Sequence, residues 1–104
     1  MYKLNYYVPV AAKEKTKQAL FDIGVGMFDN YQNCSWETLG RGQFKPVGNA
    51  NPNIGELDKL EVLQEYKVEM ICSDELIELA VHTLKKIHPY EEVAYEVFKM
   101  EEFN

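Results

Sequence analysis

Leu60-Glu61-Val62-Leu63-Gln64-Glu65-Tyr66-Lys67-Val68-Glu69-Met70 alternates apolar and polar residues along its length, broken on the apolar side only by Gln64. Strict alternation marks an antiparallel strand with one buried face, since successive side chains point to opposite sides of a sheet. The segment after it changes period. Leu76, Ile77, Ala80, Val81, Leu84 and Ile87 recur at helical spacing, Ser73 stands where an N-cap belongs, and Asp74 and Glu75 fall in the first turn, where the helix dipole favours acidic side chains. Pro89 forces an exit, because the residue before a proline is pushed out of helical geometry. Val93 to Met100 then reads as a closing strand.

Upstream the same grammar recurs. Tyr2, Leu4, Tyr6 and Val8 share one face of an extended segment ended by Pro9, and Ala12, Thr16, Ala19, Leu20 and Ile23 form one stripe of a helix stopped by Gly24. Between the halves, Tyr31 to Leu39 reads as a short strand, Arg41 to Val47 as another extended piece, and Gly48 to Gly55 as a loop crowded with Gly, Asn and Pro. The order strand, helix, strand, strand, helix, strand predicts an α+β, ferredoxin-like βαββαβ fold. Its antiparallel sheet carries two helices on one face, with an elaborated β2-β3 hairpin. Residues 1–104 are expected to form a single domain.

Composition narrows the function classes. A formal net charge of −6 with a single arginine, Arg41, argues against nucleic acid as a partner, because phosphate-backbone affinity needs clustered Lys and Arg. Lys13, Lys15 and Lys17, like Lys85-Lys86, read as solvated faces. No stretch approaches the ~18 apolar residues of a membrane span, and the first nine residues lack a signal-peptide pattern, so no membrane partner and a cytoplasmic location are expected. Cys34 and Cys72 lack metal or redox spacing and read as packed thiols. Gly24-Val25-Gly26 looks like part of a dinucleotide fingerprint, but it ends a helix rather than following a strand, which favours a structural turn.

His88-Pro89-Tyr90-Glu91-Glu92 carries the main chemical interest. His88 lies at a helix C-terminus, where the dipole is expected to raise its pKa, and a nearby carboxylate could orient it, share a metal or relay a proton. The alternative is a helix-ending turn in which His88 caps carbonyls and Tyr90 packs. His82 falls on the polar face and reads as a surface residue. Glu65, Lys67 and Glu69 point the same way from the long strand and gain interest if an oligomer covers them.

Taken together, the motifs resemble a known family over nearly the full length. Val8-Pro9, Gly24-Val25-Gly26, Tyr31 with Cys34 and Trp36, Gly40-Arg41-Gly42-Gln43-Phe44-Lys45-Pro46, Asn51-Pro52-Asn53-Ile54-Gly55, Glu65 and Glu69, and His88-Pro89-Tyr90-Glu91-Glu92 line up in order. The chain resembles the CutA-like, PII-like domain inserted in YqfO-type proteins of the Ngg-interacting-factor family, and is expected to be a stand-alone version of it. Phe28-Asp29 departs from that pattern. Full-length members look like two-lobed dinuclear-metal proteins; a chain with two histidines has no counterpart of their metal cluster, and that activity is not carried over.

The resemblance implies a non-enzymatic homo-oligomer, expected to be a trimer with sheet faces turned inward. Its expected role is to bind a divalent metal ion or a small-molecule effector, in a regulatory or metal-tolerance capacity. His88, Glu91 and Glu69 are the metal candidates, and no catalytic residue is assigned. Two alternatives stand beside this: a module that binds a protein partner through the Gly40 to Gly55 loop, and a small hydrolase-type enzyme using His88 with Glu91 as its orienter.

Overall fold

A computed structural model describes residues 1–103. Four strands, β1 (Tyr2–Pro9), β2 (Trp36–Phe44), β3 (Glu61–Cys72) and β4 (Tyr95–Lys99), form one antiparallel sheet in the order β2-β3-β1-β4. Helix α1 (Lys13–Asp22), entered through a 3-10 turn at Val10–Ala12, follows β1, and α2 (Ile77–Ile87) follows β3. This is the ferredoxin-like βαββαβ fold.

Period-2 alternation builds the core. Leu4, Tyr6 and Val8 of β1 lie in register with Met70, Val68 and Tyr66 of β3. All of these but the partly buried Tyr66 join Cys72, Leu20 of α1 and Ala80 and Leu84 of α2 in one fully buried cluster, against which Tyr66 packs. Tyr6 places a hydroxyl inside that cluster and bonds it to Thr16 Oγ1 at 2.8 Å. Thr16 donates onward to the Lys13 carbonyl, so the buried polar pair is satisfied. Burial pushes the Tyr6 phenol well above its ordinary range.

Several boundaries differ from the sequence reading, each for a physical reason. The two short pieces expected at Tyr31–Leu39 and Arg41–Val47 are one nine-residue strand, because β3 supplies a partner for every position from Trp36 to Phe44, across Gly40 and Gly42. Residues 31–35 form a loop instead. Ser73 does not cap α2: its carbonyl accepts the Leu76 N–H in a preceding turn, and helix geometry starts later. Asp74 is drawn to the N-terminal ammonium at 2.6 Å and Lys99 at 2.9 Å, which holds its carboxyl below the usual range. Leu60 and Val62, expected in the core, are 59% and 47% exposed. β1 pairs β3 only from Glu65 onward, so the far end of the β2-β3 hairpin extends past the layer that covers the core, giving a molecule of 50 × 24 × 24 Å.

The glycines after α1 have structural jobs. Val25 N–H bonds the Leu20 carbonyl and Gly24 N–H bonds the Phe21 carbonyl, the paired bonds of a Schellman stop. Gly26 has φ +81°, and a Cβ there would meet the Cys34 carbonyl oxygen at 2.7 Å. Its N–H bonds the Ile71 carbonyl, so these glycines tie a loop to β3.

Candidate functional site

Three pieces of chain meet beside the corner after α2: the hairpin end from Gln43 to Ile54, Glu65 of β3, and Tyr90 to Glu92. They line an open cavity of about 730 Å³. The corner forms because Pro89 drives His88 into extended geometry, φ −68° and ψ 140°. That turns the imidazole inward, where it is 5% exposed.

His88 ties the corner to β1. Its Nε2 lies 2.7 Å from the Tyr7 carbonyl oxygen and must donate there, while its Nδ1 accepts the Tyr90 N–H at 3.1 Å. These bonds select the neutral Nε2–H tautomer and use both nitrogens. Burial lowers the His88 pKa, against the raising effects of the Tyr7 bond and Glu65. The helix-dipole expectation of a raised value is therefore corrected: loss of water outweighs the helix end. The imidazole acts as a strut that fixes Tyr90 relative to β1, packing edge-on to both Tyr6 and Tyr90.

Tyr90 transmits that placement to the cavity. Its hydroxyl donates to Glu65 Oε2 at 2.9 Å, and its ring sits 6.0 Å from that of Phe44. Burial, with the Glu65 carboxylate beside it, pushes the phenol pKa up, so Tyr90 stays a donor at neutral pH. Glu91 Oε1 accepts the Asn51 N–H at 2.9 Å and holds the hairpin loop against the corner. The loop is further closed by the Asp58 N–H on the Pro46 carbonyl at 2.7 Å, with Pro46 buried beneath.

The three metal candidates are not gathered in one chain. His88 has both nitrogens engaged, Glu91 is exposed and holds the loop, and Glu69 sits on the open sheet face paired with Lys3 at 3.2 Å. Among the described residues no three His, Cys, Asp or Glu side chains stand together as a metal would require. The donors of one chain do not fit a divalent ion as they stand. His82 is exposed, Cys72 is buried, and Cys34 is half-buried rather than packed in the core. What the sequence reading missed is Gly42, whose missing side chain is replaced by the Glu65 carboxylate; a glycine inside a strand is the signal for such close approach.

Comparison with known proteins places this geometry. No family model matches the chain. A GTP cyclohydrolase 1 type 2 homolog of Staphylococcus epidermidis is 37% identical over 99 residues, covering 95% of this chain and 27% of the relative. A Bacillus cereus protein related to NIF3 superposes with a TM-score of 0.81 at 33% identity, over 97% of this chain and 26% of that one. The chain matches one domain-sized segment of these longer proteins. It thus spans about a quarter of the length of the curated relatives. The PII-like protein CutA of Nostoc superposes over 97% of this chain and 82% of its own, at TM-score 0.70 and 16% identity. The periplasmic divalent cation tolerance protein CutA of Archaeoglobus fulgidus does so over 100% and 88%, at 0.70 and 14%. The fold is CutA-like and PII-like. No helix among the described residues is long and apolar enough to cross a membrane.

Proposed function

We propose that residues 1–104 act as one CutA-like, PII-like domain, an oligomeric and non-enzymatic regulatory module that takes a small effector in the cavity beside the His88 corner. One observation carries the reading: the cavity of about 730 Å³ has the size of small-molecule sites, ~300–1,000 Å³. It mixes apolar walls with a few placed polar groups. The corner residues that define the family resemblance build its wall. A hydrolase reading loses its base, since the His88 lone pair is already bound to a backbone N–H and no proton acceptor remains on the ring.

Trimeric assembly over the open sheet face is part of the proposal, supported by exposed Trp36 and Phe98 there, at 69% and 54% exposure. A thermal-shift screen of small molecules, run beside light scattering, tests both parts. Active compounds should raise the melting temperature of the native chain and lose their effect in Ala94→Trp, which fills the cavity from its rim. The mass should be three times 12.1 kDa. A monomer whose active compounds stabilise native and Ala94→Trp chains alike overturns the reading.

The divalent-cation role in the name of the Archaeoglobus relative favours a second reading: an ion bound by His88, Glu91 and Glu69. It requires donors from a second copy and requires His88 to release the Tyr7 carbonyl. Under this reading Zn²⁺, Cu²⁺ or Mn²⁺ raises the melting temperature of the oligomer, and His88→Ala abolishes the shift. Unchanged melting with all three ions removes it.

A further inference from the structure

Resting on the reading of the cavity as an effector site, we infer that its ligand is an organic cation, an amine or guanidinium on a flat or apolar body, anchored by Glu65. The argument begins at Gly42. It pairs with Leu63 inside the β2–β3 ladder and lies outside the left-handed region, so its backbone conformation is open to any residue. Glycine in that position weakens a strand. Its use is steric: a Cβ would overlap the Glu65 carboxylate, with Oε1 its nearest atom. The strand therefore gives up a side chain to seat that carboxylate at the cavity wall.

Once seated, the carboxylate keeps an unbalanced charge. Oε2 takes the Tyr90 hydroxyl, which is neutral. Of the half-buried acids on the sheet, Glu37 has Lys13 and Lys17 at 2.6 and 2.8 Å and Glu69 has Lys3, whereas Glu61 and Glu96, which do not line the same wall as Tyr90 and Phe44, have no ion pair. Among the described residues Glu65 has no ion pair, although it is only partly exposed. A carboxylate withdrawn from water without a cation is costly, and an incoming positive group relieves that cost.

The rest of the lining agrees. Glu65, Glu91 and Glu92 line the cavity with Lys45 as its one basic residue, so an anionic ligand meets net repulsion. The Phe44 and Tyr90 rings stand side by side at 59°, and aromatic faces attract cations. Pro46, Val47 and Ile54 supply apolar wall for the ligand's body.

Three probes sharing one ring separate charge from shape: benzamidine, benzamide and benzoate, titrated into ¹⁵N-labelled protein and followed by amide shifts. Benzamidine should move the amides of 43–54 and 90–92, bind at least tenfold more tightly than benzamide, and leave benzoate weakest. Glu65→Gln, which keeps an oxygen for the Tyr90 hydroxyl, should bring benzamidine down to the benzamide level without lowering the unfolding midpoint. Gly42→Ala, which pushes the carboxylate aside, should do the same. If benzamide or benzoate binds in the cavity as well as benzamidine, or Glu65→Gln has no effect, the cation inference fails while the effector site stands. If none of the three moves a cavity amide, both fail.

Discussion

Replacing His88 by Ala should cost roughly 3–4 kcal/mol of folding stability. The imidazole makes two neutral hydrogen bonds, to the Tyr7 carbonyl at 2.7 Å and from the Tyr90 N–H at 3.1 Å, each contributing about 1 kcal/mol. Emptying a site that is 5% exposed adds on the order of 1–2 kcal/mol for lost contacts and residual cavity. His88→Phe restores much of the packing but neither bond, so it should cost about 2 kcal/mol, the difference isolating the packing contribution. The assay is reversible urea unfolding at one fixed protein concentration, since association alters apparent stability. For a chain of this size each kcal/mol lowers the melting temperature by about 4–8 °C, so His88→Ala should melt at least 12 °C lower by that scale. A cost below about 0.5 kcal/mol for both variants, within the range of ordinary surface substitutions, would refute the strut.

Stability should fall as the pH drops from about 6.5, because the unfolded chain then binds a proton on His88 that the folded chain, with its lowered pKa, resists; the contribution is complete above 6.5. His88→Phe should flatten that part of the urea-midpoint profile, leaving the lower-pH losses from Glu37 and Asp74, whose lysine and N-terminal partners hold their carboxyls low. Tyr6→Phe removes the buried bond to Thr16 and should cost about 1 kcal/mol by urea unfolding. Gly26→Ala forces a Cβ against the Cys34 carbonyl at φ +81° and should destabilise by more than ~1 kcal/mol. Glu91→Ala should speed hydrogen exchange at the Asn51 amide, its partner, with global stability near native.

The strands and helices with one clean period were legible. β1, β3 and α2 each alternate or repeat over enough residues to fix type and facing, and their order implies the βαββαβ topology. β2 was split because Gly40 and Gly42 look like breaks, whereas pairing along β3 carries the strand through both. Leu60 and Val62 show the limit of alternation: it identifies a face, but whether anything covers that face depends on where β1 starts to pair. At the site, the sequence placed His88 and Glu91 at the corner after α2, where the structure also has them. It missed the His88 partner, because Tyr7 contributes a backbone carbonyl from 81 residues away, a bond no side-chain pattern encodes. Glu65 was visible only as one charge on a strand, since its meaning comes from the space at Gly42 and the hydroxyl of Tyr90.

A crystallographic fragment screen of the native chain, with one data set collected after soaking in Zn²⁺, tests the effector-site claim most directly. The account predicts that bound fragments recur in the cavity between Phe44–Ile54 and Tyr90–Glu92, with His88 still bonded to the Tyr7 carbonyl. Fragments that avoid this cavity, together with an anomalous zinc peak on a His88 turned away from Tyr7, would contradict it.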